Sequence, residues 1–422
     1  MSTIDKLLDP IPIPRLVKVR QSFERPQAAD VAGELVHKLG TGGAFARVKK
    51  GDRVAITAGS RGITGLPLVL KTIASEIRKA GGEPFLFPAM GSHGGATAEG
   101  QRDMLAGMGI TEETVGAPIR ASMETVEIGV SSNGFPVHLD RFAAEADGIV
   151  VVNRIKPHVA FRGPCESGLM KMIVIGMGKQ KGADTCHELG FGTMAENLQT
   201  MGKVTLAKAK VLCGVALLEN AYHETARVEV LPGDEIPVRE PALLEEAWRL
   251  YPRLYFDRLD VLIIDEIGKD ISGTGFDTNV VGRCHTPYVS GGPTITRIAC
   301  LDITARSHGN ANGLGILDFT TRRAFDKFDF DNTYPNSLTS TVPTSVKIPM
   351  VLKSDRQAIQ AAIKTCNILK KAEVRLARIR NTVALDEIAV SENLLGEVRS
   401  NARLAVAGEP FALGFDANGN LF

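Results

Sequence analysis

A lysine and two histidines form the strongest chemical pattern of this chain. His158 follows Pro157, Lys171 lies inside the apolar run at 169–175, and His187 ends the same stretch. Burying an ammonium among apolar side chains is costly, so the pKa of such a lysine falls and its amine becomes a nucleophile or a covalent anchor. The alternative is a lysine whose stem is buried and whose charged end reaches solvent. Lys179 and Lys181 are interpreted as solvated surface lysines.

Two further loops carry residues suited to binding and proton transfer. Arg61 lies in the glycine-rich segment at 58–65, where a guanidinium can grip a carboxylate or phosphate with two parallel hydrogen bonds. His93 lies between glycines in the segment at 90–99, directly after an apolar run, and imidazole titrates near neutral pH. Alternatively, the first segment is only a glycine-rich turn, and the second serves the helix that Thr97 caps.

Composition restricts the function classes. The chain has 422 residues, 44% of them hydrophobic and 23% charged, which is typical of a folded two-domain protein. The net charge of +1 disfavours nucleic acid and anionic membranes as partners. The six cysteines form no C-x-x-C pair, which argues against a cysteine zinc site, an iron–sulfur cluster and a disulfide framework. The N-terminus lacks a signal-peptide pattern and no apolar run is long enough to span a membrane, so a cytoplasmic location is expected.

The order of the elements predicts an α/β protein. Apolar runs and amphipathic stretches alternate, which favours parallel sheets covered on both faces by helices. Loops that follow such strands are where open α/β sheets place ligands. We expect two α/β domains with mainly parallel sheets and an active-site cleft between them. The predicted boundaries are 1–258 for an N-terminal cofactor-binding domain, either alone or together with residues 398–422, and 259–397 for a C-terminal domain. The elements expected in them are strands at 53–57, 84–87, 148–153, 260–265, 296–303 and 345–352 and near Val383, an edge strand at 16–19, and helices at 66–80, 97–108, 241–250 and 356–368.

These residues resemble those of the nickel-dependent lactate racemase family, the 2-hydroxyacid racemases and epimerases that use a nickel-pincer nucleotide. The pattern K-x4-G-x10-H formed by Lys171, Gly176 and His187 is similar to the family's cofactor motif. His93 in Gly-Ser-His-Gly and His158 in Lys-Pro-His match the positions of the family's two acid/base histidines. The resemblance covers most of residues 50–190.

The resemblance implies a role for each matched residue. Lys171 would be linked to the cofactor, nickel pyridinium-3,5-bisthiocarboxylic acid mononucleotide, with Ser60, Gly168 and Gly176 also contacting it. His187 would be the metal ligand. His93, His158 and Arg61 would be catalytic, Arg61 by holding the substrate carboxylate.

The chain departs from the family pattern at two places. The family's Asp-x-Thr-Arg loop is Ala58-Gly-Ser-Arg61 here, so an acidic residue is missing. Asp277-Thr-Asn279 resembles the family's Asp-x-Asn, but the Gln and Lys that follow it are absent, and Arg283 or His285 would have to replace them. These differences favour a 2-hydroxy acid other than lactate, polyhydroxylated or dicarboxylic.

The sequence thus predicts a nickel-dependent isomerase that inverts carbon 2 of a 2-hydroxy acid by hydride transfer. Its expected partners are that small molecule and the enzymes that make the cofactor. Two alternatives stay open: a sugar-acid lyase or dehydratase without the pincer cofactor, and a noncatalytic protein that binds a phosphorylated ligand.

Overall fold

The computed structural model describes residues 2–188 and 190–422 of the chain. Its fifteen named strands are β1 Leu16–Gln21, β2 Arg53–Ala58, β3 Glu83–Pro88, β4 Thr125–Val130, β5 Pro136–Asp140, β6 Gly148–Arg154, β7 Val211–Glu219, β8 Thr225–Pro232, β9 Arg258–Ile267, β10 Thr294–Ile303, β11 Phe319–Thr321, β12 Met350–Leu352, β13 Leu376–Ile379, β14 Glu387–Ser391 and β15 Leu404–Val406.

The α-helices are α1 Thr3–Leu8, α2 Val31–Thr41, α3 Leu66–Lys79, α4 Ala98–Gly107, α5 Glu112–Val115, α6 Arg141–Ala144, α7 Leu169–Lys171, α8 Lys179–His187, α9 Met194–Lys208, α10 Ile236–Arg249, α11 Thr278–Val281, α12 Arg322–Asp326, α13 Phe330–Ser340, α14 Asp355–Thr365 and α15 Leu395–Ser400. A π-helical turn occupies Met172–Gly176, and short 3-10 turns occupy Gly94–Ala96, Gly233–Glu235, Ala305–Ser307, Leu314–Ile316, Pro343–Val346, Lys371–Glu373 and Glu392–Leu394. Among the described residues, none of these helices has the length and apolar character needed to cross a membrane.

The chain divides into two compact units. The first unit is Glu24–Tyr251, and the second unit combines Met1–Phe23 with Pro252–Phe422. This division differs from the predicted boundaries at both ends of the chain. The N-terminal arm belongs to the second unit because β1 pairs with β14 and β15 there, and residues 398–422 stay in that unit for the same reason. The expected cleft between the domains stays a prediction.

A five-stranded sheet forms the centre of the first unit. Its order is β3-β2-β6-β7-β8, with only the β7–β8 pair antiparallel. Helix α3 buries Val69, Leu70, Ile73 and Ile77 on one face, at the spacing of a helix that covers a sheet. Residues of α3 share a core with β2, β6 and β7. The predicted parallel sheet with helical cover is therefore present in this unit.

The second unit contains an eight-stranded mixed sheet. The order is β12-β11-β10-β9-β13-β14-β1-β15, in which the first five strands are parallel and the last three pair antiparallel. Helix α14 packs Ala358, Ile359 and Ala362 against the parallel part. The α/β fold class is confirmed, and both units have mainly parallel sheets.

Most predicted elements occur, and three differ. Residues 345–352 were predicted as one strand, but a 3-10 turn ends at Val346 and β12 begins only at Met350. Val383 lies in the connection between β13 and β14, so the strand predicted there is wrong. Leu16–Val19 was predicted as an edge strand, but β1 lies between β14 and β15, because strands distant in sequence cover both of its edges.

Candidate active site

Three strands of the first unit deliver the predicted loops to one end of the sheet. β3, β2 and β6 are parallel neighbours, and they end at Pro88, Ala58 and Arg154. The segments that contain His93, Arg61 and His158 follow these ends directly. Parallel strands place their carboxyl ends on the same edge, which is the usual ligand side of an open α/β sheet.

The Lys171 segment is helical, and a buried carboxylate holds its start. Helix α7 begins after Gly168, and Glu240 Oε2 accepts the Met170 N–H at 2.8 Å. A Cβ on Gly168 would lie 2.1 Å from Glu240 Oε1, so only glycine admits the carboxylate there. Burial raises the pKa of Glu240 to about 7. Gly168 thus has a packing role beside its predicted contact with a cofactor.

Gly176, which ends the π-helical turn, also lies in a tight place. A Cβ there would lie 2.4 Å from Met172 Sδ and 2.8 Å from Ala89 O. The Gly176 carbonyl accepts the Gly91 N–H at 3.3 Å, which joins the Lys171 segment to the His93 loop. The glycine allows these two backbones to approach each other.

The Lys171 amine points at His158 and not into bulk water. Its Nζ lies 2.8 Å from His158 Nε2. Burial lowers the pKa of Lys171 to about 8, and the charges of Arg61 and Lys156 act in the same direction. The alternative of a lysine that extends its charge to solvent does not fit this geometry.

The hydrogen bonds of His158 favour a neutral amine at Lys171. His158 Nδ1 accepts the Ala160 N–H at 3.1 Å, so a neutral ring carries its proton on Nε2. That Nε2–H then donates to Lys171 Nζ, which must offer a lone pair. Buried Glu166 accepts the backbone N–H of His158 at 2.6 Å and fixes the turn that holds the ring.

His187 is oriented as a metal-binding histidine would be. Its Nδ1 lies 2.7 Å from the Ala183 carbonyl oxygen, which can only accept, so Nδ1 carries the proton and Nε2 the lone pair. Burial, aided by the charge of Lys171, lowers the pKa of His187 to about 4 and keeps the ring neutral. The ring of Phe191 lies 5.5 Å from that of His187 and 5.8 Å from that of His158, between centroids.

Arg61 adds a cation to the same region. Burial lowers its pKa to about 10, and Arg154 acts in the same direction. Arg154 itself forms an ion pair with Glu219. Arg61 and Lys156 therefore make this part of the first unit attractive to an anion.

Ser60 and His93 connect the first two loops. The Ser60 hydroxyl oxygen forms a hydrogen bond with His93 Nδ1. Ser60, which was predicted to contact the cofactor, thus orients an imidazole in this structure. The contacts group six of the eight predicted site residues into two sets. Ser60 contacts His93, while Lys171 contacts His158 and interacts electrostatically with Arg61 and His187.

The interpretation of Lys179 as a surface lysine is wrong. Its side chain has no exposed area, and its amine donates to Pro88 O at 2.7 Å and Gln101 Oε1 at 2.6 Å. The sequence misled because Lys179 begins a polar helix, α8, whose next lysine, Lys181, is exposed. Helical periodicity alone does not show that the first position faces β3 and α4.

Three candidate residues lie in the second unit. Arg283 pairs with Asp318 at 3.2 Å and also donates to the backbone carbonyls of residues 295, 296 and 316, so it stabilises its own unit. Asn279 is buried in α11. Burial lowers the pKa of His285 to about 4, so its ring is neutral.

Sequence reasoning missed three residues that support the site: Glu166, Glu240 and Gln101. Each is a polar residue that the structure buries. Glu240 precedes the predicted helix at 241–250, whereas in the structure it lies within α10, and an acidic residue in such a place is ordinarily exposed. No local signal distinguished it, because its partner is 70 residues away in sequence.

The residues present fit a metal that is held mainly by a bound cofactor. Among the described residues, no group of three or more His, Cys, Asp or Glu side chains could hold a metal ion. His187 offers one imidazole nitrogen, and the Lys171 amine lies within electrostatic reach of it. A protein that supplies a single ligand requires that the other donors come from a bound group.

Two comparisons with known proteins found similar molecules. Residues 18–200 match the family model described as the lactate racemase N-terminal domain. The fold is similar to the structure of the lactate racemase apoprotein from Thermoanaerobacterium thermosaccharolyticum, with a TM-score of 0.50 and 13% identity over 88% of this chain and 99% of that one. No curated protein matches the chain. The predicted resemblance to the lactate racemase family is confirmed, since residues 18–200 match its N-terminal domain and the fold is similar to that of a lactate racemase apoprotein.

Proposed function

We propose that this protein inverts carbon 2 of a 2-hydroxy acid with a nickel-pincer nucleotide linked to Lys171. The observation that carries the proposal is the environment of the Lys171 amine. It is partly buried, it contacts His158 at 2.8 Å, and it has the cations Arg61 and Lys156 near it. A lysine in this setting is a nucleophile near neutral pH.

The Lys171 segment has the parts needed to hold the cofactor. The neutral amine of Lys171 is the group that would form the covalent link. His187 would add its Nε2 to the nickel, since its Nδ1 proton is held by Ala183 O. Neutral imidazole is a suitable ligand for nickel. A bound nickel-pincer nucleotide supplies a reversible hydride acceptor, which the protein itself lacks.

His93 and His158 would move the hydroxyl proton of the substrate. Inversion requires that a base removes this proton on one face and that an acid returns it after the planar 2-keto acid has turned. Ser60 orients the ring of His93, and Glu166 and Ala160 orient that of His158. Arg61 would hold the substrate carboxylate through its guanidinium.

Polar residues support a substrate with further hydroxyl or carboxyl groups. Asn279 and His285 stay candidates for such contacts in the second unit, whereas the guanidinium of Arg283 is already engaged by Asp318 and backbone carbonyls. The enzymes that make the cofactor would be partners of the protein, and the location proposed for it is the cytoplasm.

The test is expression beside the cofactor-making enzymes, followed by nickel analysis and peptide mass spectrometry. We expect nickel, a mass increase on Lys171, and racemisation of at least one acid in a panel of single-enantiomer 2-hydroxy acids measured by chiral chromatography. Lys171→Ala should lose the mass increase, while His93→Ala should keep the nickel and lose turnover.

The alternatives predict different results. A lyase or dehydratase would consume a sugar acid without nickel and release water or a cleaved product. A noncatalytic protein would bind a phosphorylated ligand and transform nothing. A Lys171→Ala variant that racemises its substrate at the normal rate contradicts the proposal.

A further inference from the structure

Lys179 occupies an unusual position between Lys171 and His187. Its side chain is fully buried, yet it starts a helix made mostly of polar residues. Its backbone has φ of 56°, in the left-handed region that residues with a Cβ rarely adopt. Such a conformation persists only where surrounding contacts hold it, and these cases concentrate at functional sites.

Three oxygen atoms surround the Lys179 amine. Its Nζ donates to Pro88 O at 2.7 Å and to Gln101 Oε1 at 2.6 Å, and Asp140 Oδ2 lies at 3.5 Å. Two hydrogen bonds and an ion pair with a carboxylate suit an ammonium at this position. Asp140 is itself fixed, because its other oxygen caps α6 by accepting the N–H groups of Phe142 and Ala143.

Gln101 connects Lys179 to the loop that contains His93 by hydrogen bonds. Because a lysine can only donate, the amide oxygen of Gln101 must face Lys179, and its NH2 group therefore faces the opposite way. That NH2 group donates to Gly91 O at 3.0 Å and to His93 O at 3.1 Å. Lys179 and Gln101 thus donate hydrogen bonds to three backbone carbonyls of the short segment 88–93.

We propose that Asp140, Lys179 and Gln101 form a positioning relay that fixes the main chain of His93 relative to the segment carrying Lys171 and His187. The residues of the relay touch no reacting atom. Their role rests on the proposed function only in that His93 is the acid/base group they place. A shift of about 1 Å at such a group costs on the order of a hundredfold in rate.

The decisive experiment separates positioning from folding stability. Lys179→Met leaves Asp140 buried without its cation, so this variant is expected to be destabilised. The double variant Lys179→Met with Asp140→Asn carries no unpaired charge and should recover most of the melting temperature. It still leaves the Gln101 amide without the donor that sets its orientation.

The readout is the reactivity of His93 toward diethyl pyrocarbonate in the cofactor-free protein, measured by peptide mass spectrometry against the exposed His37. In the double variant we expect the reactivity of His93 relative to that of His37 to rise at least about threefold. The reason is that the released loop no longer holds the His93 ring against Ser60. If the ratio returns to that of the wild type together with the melting temperature, Lys179 serves stability alone and the proposal is overturned.

A second variant tests Gln101 directly. Gln101→Glu keeps an acceptor for Lys179 and has nearly the same shape, but it loses both N–H donors to the loop. This variant should raise the reactivity of His93 relative to that of His37. Asp103→Asn, an exposed charge change on the same helix, is the control and should leave this ratio unchanged. An unchanged ratio in Gln101→Glu contradicts the relay.

The two proposals fail in distinguishable ways. In the cofactor-loaded protein, the double variant should retain nickel and lower kcat. If no form of the protein, wild type included, racemises any acid, the proposed function fails, and the reactivity of His93 still decides whether the relay positions it.

Discussion

Lys171 and Lys179 lie eight residues apart, and the structure gives their amines opposite surroundings, with Lys171 partly buried and Lys179 fully buried. Lys171 faces the Nε2–H of His158 and has two cations nearby. Lys179 faces three oxygen atoms, one of them a carboxylate. Burial lowers the pKa of both amines, but Lys179 has two hydrogen-bond acceptors and a nearby carboxylate, which suit an ammonium.

The difference shows that burial by itself does not make a lysine reactive. The neighbours decide whether the free energy of burial is offset by hydrogen bonds to an ammonium or by loss of the proton. Lys171 is suited to form a bond, whereas Lys179 is suited to hold a loop. Four experiments test this difference between the two lysines.

The largest effect is expected from Lys171→Ala. Without the amine there is no covalent link, so turnover should fall by at least about a thousandfold. Lys181→Ala, which removes an exposed lysine of the same segment, is the matched control and should keep both the mass increase and the turnover. Intact-protein mass spectrometry and chiral assay check both variants, and a Lys171→Ala protein that retains the added mass would contradict the assignment.

Lys179→Met should cost the most stability. Removing the cation leaves the Asp140 carboxylate buried and uncompensated, which typically costs about 3 to 5 kcal/mol. Urea unfolding followed by circular dichroism measures the change, and adding Asp140→Asn should restore most of it. Lys171→Met is the contrasting variant, and we expect it to be nearly neutral, since the amine it removes contacts an imidazole and lies near the cations Arg61 and Lys156. Equal losses in the two variants would remove the distinction.

The pH dependence of labelling should separate the two amines. Because its pKa is about 8 instead of 10.5, Lys171 should react with an amine-selective acylating reagent with a midpoint near pH 8, while Lys179 stays unlabelled. The folded protein also binds fewer protons than the unfolded chain between these values, so Lys171 makes the unfolding free energy rise as the pH increases from about 8 to 10.5. A labelling midpoint near the usual lysine value would show that Lys171 is solvated.

The smallest effect is expected from Glu240→Gln, which alters the start of the Lys171 helix. The amide keeps an oxygen acceptor for the Met170 N–H, so the change in unfolding free energy should be about 1 to 2 kcal/mol. Burial raises the pKa of Glu240 from 4.5 to about 7, so the folded wild type binds more protons in this range and loses stability as the pH rises through it. Urea titrations between pH 4.5 and 7 should show that slope in the wild type and a smaller one in Glu240→Gln.

Individual strands and helices were largely predictable, because their sequence patterns lie within short stretches of the chain. The predicted strand at 53–57 and the helix at 66–80 occur within a residue or two, because strand runs and helical periodicity are written in consecutive residues. The unit to which each end of the chain belongs could not be predicted from such local patterns. The placement of β1 between β14 and β15 depends on strands that are almost 400 residues away in sequence.

The sequence alone determined the types and spacing of Arg61, His93, His158, Lys171 and His187, and the loops that contain them. Chemistry and family resemblance can be read from these, because both depend on residue identity and order. Only the tertiary structure decided what each side chain faces. It set the tautomer of His158, turned the amine of Lys171 toward that ring, and buried Lys179 against Asp140, because hydrogen bonds and desolvation depend on neighbours that the folded chain brings from distant positions.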